Sequence, residues 1–233
     1  MRKPRTDYRM AALLTALAAT AAACGGAART AAPTGSPSST AATAELEAIY
    51  RTRTDSALAR FTEADVRFMT GMIAHHAQAL VMAGLAPTHG ASPRLRTLTA
   101  RIINAQKDEI AWMQRWLGDR GQPVPEVQIR GTSLVVRGAG EEALRMPGML
   151  TPEQMSELDR ARGAEFDRAF LTYMIQHHRG AVTMVHALFG TDGAAQDGTV
   201  FKLASDIQVD QATEIARMQR MLKALSDPAA RTP

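Results

Sequence analysis

The chain has 233 residues, enough for one medium-sized domain with appendages, and its formal net charge is +4. Most of that charge lies in the first 23 residues, which hold four basic side chains and one acidic side chain. The remainder is close to neutral, which gives no argument for binding to nucleic acid or to an anionic membrane surface. The single cysteine, Cys24, excludes an intramolecular disulfide and a thiolate metal cluster.

Residues 1–23 have the pattern of a secretory signal peptide, with a basic start, an apolar run from Met10 and small residues at the end. The run is too short to span a bilayer comfortably. It ends at Cys24 as in a bacterial lipoprotein cleavage site, although Ala21 stands where Leu is more usual. We predict an exported lipoprotein of the cell membrane, lipidated on Cys24 and facing the extracytoplasmic side. A cleaved signal with an incidental cysteine and an uncleaved anchor are the alternatives.

The rest of the chain divides by composition into three parts. Residues 24–44 are almost uncharged and rich in Ala, Gly, Ser, Thr and Pro, which predicts a flexible tether. Residues 45–226 carry the apolar periodicity of a folded helical domain, and residues 227–233 form a short C-terminal tail. The first part of that domain, residues 45–60, is compatible with a short helix.

Four long helices are predicted in the domain, in two pairs. Thr62 caps the first, and the cap residue Ser92 followed by Pro93 starts the second. The predicted bounds are 62–85, 92–117, about 164–188 and about 199–225. Each pair is joined by a short turn, which predicts two helical hairpins.

The segment between the two pairs is predicted to contain an irregular region followed by a short helix. Residues 122–146 are predicted to be irregular, with residues 133–136 as either a short strand or a packed loop. Thr151 begins a short helix with a capping-box pattern, and Gly163 is expected to end or bend that helix.

The first and third long helices repeat one another. Residues 68–82 and 170–184 each contain a His pair, with a Met three residues before it and another six residues after it. At an offset of 102 the two segments align, and in the partner helices the offset becomes 105, so that Glu109 aligns with Glu214. Two copies of one helical hairpin predict an all-α four-helix bundle with a pseudo-two-fold axis.

The repeated side chains suit a metal. On a helical wheel Met72 lies with His76, and His75 lies separately with Met82. Imidazole nitrogen and thioether sulfur together suit copper, above all Cu(I). Glu109 lies in the middle of an otherwise apolar stripe, where its carboxylate needs a metal, a facing His or Arg, or a shared proton.

Other interpretations of these residues stay open. Zinc and iron are alternatives to copper. Each hairpin offers one obvious inward Glu, which argues against a standard ferritin-type di-iron site, although Asp65 and Asp167 keep that alternative open. A Met stripe more often fills a core than binds a metal, but the joint recurrence of His pairs, Met and Glu favours metal binding. Met146 and Met149 are interpreted as packing residues, with a cover over a site or binding of a soft metal as the alternative.

Several motifs occur in an order that resembles the bacterial DUF305 family, a domain of unknown function. They are the two His-pair segments 65–76 and 166–178, the stretch 146–155, and the twin segments 109–113 and 214–218. The resemblance covers about residues 60–225. It implies a ferritin-like bundle that is exported or lipid-anchored, and some members are associated with copper binding or copper tolerance. Carried over by position, it implies the metal ligands Met72, His75, His76, Met82, Glu109, Met113, Met174, His177, His178, Met184, Glu214 and Met218.

The sequence favours a binding protein over an enzyme, because no nucleophile elbow, catalytic Cys or phosphate-binding loop is visible. Three functions are compatible with it. They are copper binding and buffering, a ferritin-like metal-dependent oxidoreductase, and a metal-free structural or interaction module at the cell surface. The predicted partners are a metal ion and a membrane, and a homo-oligomer is compatible with the sequence.

Overall fold

The computed structural model describes residues 39–58 and 60–226, so the predicted signal peptide, the lipidation site, most of the tether and the C-terminal tail lie outside the described residues. Within them the elements are α1 (Ser39–Leu58), α2 (Glu63–Gly84), α3 (Pro93–Asp119), β1 (Glu126–Arg130), β2 (Ser133–Arg137), a 3-10 helix (Glu142–Arg145), α4 (Pro152–Arg160), α5 (Gly163–Phe189) and α6 (Gly198–Ser226). None of these helices is both long enough and apolar enough to cross a bilayer.

Helix α1 begins earlier than predicted. The sequence assigns residues 39–44 to the flexible tether, whereas the structure makes them helical. Three of these six residues are alanines, which have the highest helix propensity, and Pro37 is the last proline before them. The chain divides into one unit of residues 1–44 and another of residues 45–233, and the four long helices belong to the second.

Local caps start α2 and α3 where the sequence predicts. The Thr62 hydroxyl accepts the N–H of Asp65 while the Asp65 carboxylate accepts the N–H of Thr62, which forms a capping box. The Ser92 hydroxyl accepts the N–H of Leu95, and Pro93 occupies the first helical position. These bonds satisfy N–H groups that a helix start leaves without an intrahelical acceptor.

The junction between α4 and α5 differs slightly from the prediction. Thr151 and Gln154 form the expected capping box of α4, which ends at Arg160. Gly163 neither ends nor bends α4, because it is the first residue of α5. It has a φ of +57°, in the left-handed region that favours glycine, and its N–H donates to the carbonyl of His89 at 2.8 Å.

The region predicted to be irregular contains a β-hairpin. Strands β1 and β2 pair antiparallel, with Glu126 opposite Arg137 and Arg130 opposite Ser133. The segment left as strand or loop is therefore a strand. Its partner β1 escapes prediction because it follows Pro123 and Pro125, which mark a loop in the sequence pattern.

The all-α, ferritin-like four-helix bundle predicted from the sequence is confirmed. Helices α2 and α3 pack as one hairpin, α5 and α6 pack as the other, and the two His-bearing helices α2 and α5 contact each other. The apolar core has two clusters, and each draws on both hairpins. The first contains Phe68, Met72 and Met113 with Met184. The second contains Met82 with Phe170, Met174 and Met218.

Two buried carboxylates brace the hairpins against each other. Asp65 accepts the N–H of Ala195, in the turn between α5 and α6, at 2.7 Å. Asp167 accepts the N–H of Ser92, in the turn between α2 and α3, at 3.1 Å. Each carboxylate thus holds the turn of the opposite hairpin, which gives both a structural role and no support for the di-iron role considered above.

Candidate metal centre

The four paired histidines meet in the bundle interior where α2 and α5 contact each other. His75, His76, His177 and His178, the histidine cluster, have no solvent-exposed surface. The rings of His75 and His177 lie against each other across the two helices, with 3.7 Å between their centroids and 37° between their planes. The rings within each pair are 6.4 Å apart. The structure therefore brings both sequence motifs into one central cluster.

Three of the four rings are held by a hydrogen bond at Nε2. His76 Nε2 lies 2.5 Å from a carboxylate oxygen of Glu109, and His178 Nε2 lies 2.6 Å from one of Glu214. His75 Nε2 lies 3.0 Å from the carbonyl oxygen of Pro147. A carbonyl or a carboxylate can only accept, so each Nε2 donates a proton and the lone pair of the neutral ring is on Nδ1.

Those Nδ1 atoms have no partner. Within the described residues, the Nδ1 atoms of all four histidines are buried and accept no hydrogen bond, and Nε2 of His177 is also unpartnered. Each such buried group costs about 1–3 kcal/mol of stability. A coordinated cation would satisfy the lone pairs, so the donor set fits a metal.

Burial keeps the rings of His75 and His177 uncharged. Desolvation, and then the neighbouring His76, lower the pKa of His75 from 6.5 to about 3. Desolvation followed by the proximity of His75 and His178 lowers the pKa of His177 well below its usual value. At neutral pH both rings are therefore neutral imidazoles, the form that binds metals.

These shifts predict that the metal-free protein loses stability in acid. The unfolded chain binds protons at His75 and His177 below about pH 6.5, whereas the folded chain does not, so stability falls as the pH drops from 6.5 toward 3. The expected loss between pH 7 and pH 5 is about 2 kcal/mol for each ring. Urea unfolding at the two pH values measures it. The variant His75→Gln/His177→Leu should not show the loss of stability that these two rings cause. An equal loss in the native protein and the variant would contradict the lowered pKa values of His75 and His177.

The predicted methionine ligands fall into two groups, each of which joins both hairpins. Met72 and Met113 of the first hairpin share a core cluster with Met184 of the second. Met174 and Met218 share the other cluster with Met82. Because α2 and α5 run antiparallel, the methionine that follows each His pair joins the opposite hairpin. All six are buried.

The two predicted glutamate ligands lie at the edge of the interior. The side chains of Glu109 and Glu214 are 18% and 24% exposed, and their partners His76 and His178 are fully buried. Burial, and then the carboxylates of Glu109, Glu214 and Asp206, raise the pKa of Asp210. These acidic groups therefore lie close enough to interact on the α3 and α6 side of the bundle, and we call Glu109, Asp210 and Glu214 the acidic edge.

The segment around Met146 and Met149 covers His75, which the sequence interpretation considered only as an alternative to packing. Residues 146–150, which we call the strap, cross α2 and α5 between the 3-10 helix and α4. Gln78 of α2 binds Leu150 twice, donating to its carbonyl at 3.0 Å and accepting its N–H at 2.7 Å. A Cβ built on Gly180 of α5 would overlap the carbonyl group of Pro147. A glycine inside a helix opposite a Pro-Gly pair is the signal that could have revealed the strap.

Two buried glutamines of the partner helices were not among the site residues predicted from the sequence. Gln106 of α3 and Gln211 of α6 are 2% and 4% exposed. Both amide atoms of Gln106 and the amide oxygen of Gln211 are buried without a hydrogen-bond partner among the described residues. They lie one turn from Glu109 and Glu214 and add neutral polar groups to the interior.

The carboxylates and imidazoles do not form a metal site alone. Within residues 39–58 and 60–226, no group of three or more His, Cys, Asp or Glu side chains is arranged to hold a metal ion. The unpartnered Nδ1 atoms nevertheless need a partner, and the other donors that the predicted set contains are thioethers. The donor set therefore fits a soft metal better than one that requires several carboxylates.

A family profile and two solved structures of similar proteins point to the same family. The sequence profile of the domain of unknown function DUF305 matches residues 65–228. A crystal structure of a DUF305 protein from Streptomyces coelicolor, whose description proposes secretion, is 25% identical, with a TM-score of 0.58 over 70% of this chain and 94% of that one. A DUF305 fragment from Deinococcus radiodurans is 31% identical, with a TM-score of 0.57 over 70% of this chain and 97% of that one.

A further similar structure contains copper. CopM in its Cu(I)-bound form is 28% identical, with a TM-score of 0.51 over 68% of this chain and 95% of that one. CopM structures with Cu(II) and with Ag are also similar. A search of functionally curated proteins found no match.

Proposed function

Because this chain belongs to the DUF305 family, we propose that it is an exported, lipid-anchored protein that binds and buffers copper, chiefly as Cu(I), in the bundle interior. One observation carries the proposal, namely the four buried and unpartnered Nδ1 atoms of the histidine cluster. Ring nitrogens that are buried without a hydrogen-bond partner are costly, and a bound cation would remove that cost.

The ligands divide into binding and orienting groups. Nδ1 of the four clustered histidines would bind metal together with thioethers from the two methionine groups. The first group is Met72, Met113 and Met184, and the second is Met82, Met174 and Met218. Glu109, Glu214 and the carbonyl of Pro147 would orient the rings through Nε2. Such outer hydrogen bonds fix the tautomer and raise the basicity of the ligating nitrogen.

The neutral interior favours a monovalent soft ion. Transfer of a single charge into a buried site costs less than transfer of two, and thioethers prefer Cu(I) to Zn(II) or Fe(II). The Cu(I)-, Cu(II)- and Ag-bound forms of CopM support copper-type metal binding by similarity, and the choice of Cu(I) rests on the donor chemistry. Burial of all four rings favours retention of the ion over redox turnover with a substrate.

Export and anchoring rest on the N-terminal sequence. The proposed signal peptide 1–23 and lipidated Cys24 would hold the bundle at the outer face of the cell membrane, with residues 25–38 as the spacer. The secretion proposed for the Streptomyces coelicolor relative supports export. Metabolic labelling with a fatty acid, compared between the native chain and Cys24→Ala, tests the anchor.

Metal-dependent thermal stabilisation tests the binding function. A ligand present at a thousand times its Kd adds about 4 kcal/mol to folding, so Cu(I) or Ag(I) is expected to raise the Tm by about 10 °C. Zn(II) and Fe(II) at the same concentration should raise it much less. An unchanged Tm with Cu(I) and Ag(I), or an equal shift with Zn(II), would reject the proposal.

A further inference from the structure

A surface cavity beside the strap presents two thioethers. Its volume is about 270 Å³, and its walls include Phe68, Met146, Pro147, Met184 and Leu188. Met146 is half-buried and Met184 is buried with 7% exposure, so Met146 is the more accessible of the two. The sequence interpretation assigned Met146 to packing, yet this residue forms part of the wall of an open, mostly apolar cavity.

Met146, a wall residue of the cavity, also packs against α2 at Gly71. A Cβ built on Gly71 would overlap the terminal methyl of Met146 and would lie 3.2 Å from its sulfur. The thioether of Met146 therefore lies against the α2 backbone at the residue that precedes Met72. A glycine inside a helix costs about 1 kcal/mol relative to alanine, and at Gly71 the absent side chain makes room for this thioether.

The next residue of the strap contacts the histidine cluster. Pro147 is a wall of the cavity and also accepts the hydrogen bond from His75 Nε2. Pro147 thus lies between the cavity and the ring of His75. We propose that Met146 forms an entry site together with Met184, the interior ligand that also lines the cavity, and that this site captures Cu(I) at the surface and passes it to the other buried ligands. This inference rests on the proposed copper-binding function.

The chemistry of the cavity selects the ion. Thioethers are neutral, soft donors that bind Cu(I) and Ag(I), and an apolar wall does not replace the water shell of a hard divalent cation. Arg67 is the one charged residue in the wall, and its guanidinium pairs with Glu63 at 3.4 Å, which offsets its charge. The site therefore admits a monovalent ion released from a soft carrier.

The acidic edge is the competing route, and the two routes differ in their ligands. Glu109 and Glu214 are partly exposed and bind His76 and His178 directly. With Asp210 they offer hard oxygen donors, which attract divalent cations more strongly than Cu(I). Entry by this route would depend on Asp210 and not on Met146.

The rate of Cu(I) transfer from a chromophoric chelator tests the entry site. Met146→Leu keeps the bulk and apolarity of the side chain and removes the sulfur, while Met149→Leu makes the same change in the strap outside the cavity. Met146→Leu is expected to slow uptake and release by about tenfold each with an unchanged equilibrium, because an entry site acts on the barrier alone. Met149→Leu should match the native protein.

Three results would overturn the inference. The first is that Met146→Leu takes up Cu(I) at the native rate. The second is that this variant binds less copper than the native protein at equilibrium. The third is that uptake is slow in Asp210→Asn but not in Met146→Leu. If the native protein takes no Cu(I) from the chelator, the proposed function fails with it. If the native protein binds Cu(I) and only the variant result is absent, the entry site alone is rejected.

Discussion

The double substitution His75→Gln/His177→Leu is expected to weaken Cu(I) binding by at least about a hundredfold while the bundle stays folded. Both rings lose their Nδ1 donors. The Gln amide can still donate to the Pro147 carbonyl, which His75 Nε2 contacts at 3.0 Å. Leu at position 177 removes two buried nitrogens that have no partner among the described residues. Competition with a chelator of known Cu(I) affinity measures the loss.

A histidine outside the cluster supplies the control. His186 lies on the same helix as His177, is exposed, and contacts Gln208 at 3.1 Å. His186→Gln should leave Cu(I) affinity within about twofold of the native value, because it removes an imidazole without touching the interior. Equal losses in the two variants, or no loss in the double variant, would refute the assignment of the histidine cluster.

Gly180→Ala is expected to lower the free energy of unfolding by about 2–4 kcal/mol, because the added methyl meets backbone that cannot rotate away. A Cβ at this position would overlap the Pro147 carbonyl and lie close to the Cα of Gly148. The strap must move, and the hydrogen bond from His75 Nε2 to Pro147 is then lost or lengthened. Urea unfolding measures the stability change.

A second helical glycine provides the matched control. Gly84 ends α2, and a Cβ built on it would meet nothing within 4 Å. Gly84→Ala should therefore be neutral or stabilising, by up to about 1 kcal/mol, through helix propensity and the reduced freedom of the unfolded chain. If Gly180→Ala is as well tolerated as Gly84→Ala, the strap is not held against α5 in the way described.

Local signals predicted the helices well because their causes are local. The Thr62–Asp65 capping box and the Ser92-Pro93 start involve residues three or fewer positions apart, and both form as predicted. The expectation that Glu109 needs a partner was also correct, since it contacts His76. Choosing His76 among the candidate partners required the packing angle between α2 and α3, which periodicity alone does not supply.

Longer-range features escaped the sequence for physical reasons. Pro147 and His75 are separated by 72 positions, so no local pattern joins them. The grouping of Met184 with Met72 depends on α2 and α5 packing antiparallel, whereas a helical wheel considers one helix at a time. The orienting role of the glutamates depends on which imidazole nitrogen they face, and that is a matter of ring rotation rather than of spacing.

The buried polar side chains of the bundle fall into two groups, those with hydrogen-bond partners that stabilise the fold and those with unpartnered atoms at the candidate metal centre. Asp65 and Asp167 hold the turns of opposite hairpins, so these buried carboxylates serve the fold. The histidine cluster instead carries buried lone pairs that weaken the metal-free protein. Such local cost at a site that the rest of the structure supports is typical of functional positions. We therefore expect copper to be the missing partner of the cluster.

Nitrogen-15 NMR of histidine-labelled protein, recorded with and without Ag(I) as the stable analogue of Cu(I), tests this claim most directly. In the metal-free protein we expect protonated Nε2 and unprotonated Nδ1 at His75, His76 and His178, since each Nε2 faces an acceptor. We also expect Ag(I) to shift the Nδ1 resonances of the histidine cluster and to leave His89 and His186 unchanged. Protonated Nδ1 atoms, or Ag(I) shifts confined to Nε2 or absent from the cluster, would contradict it.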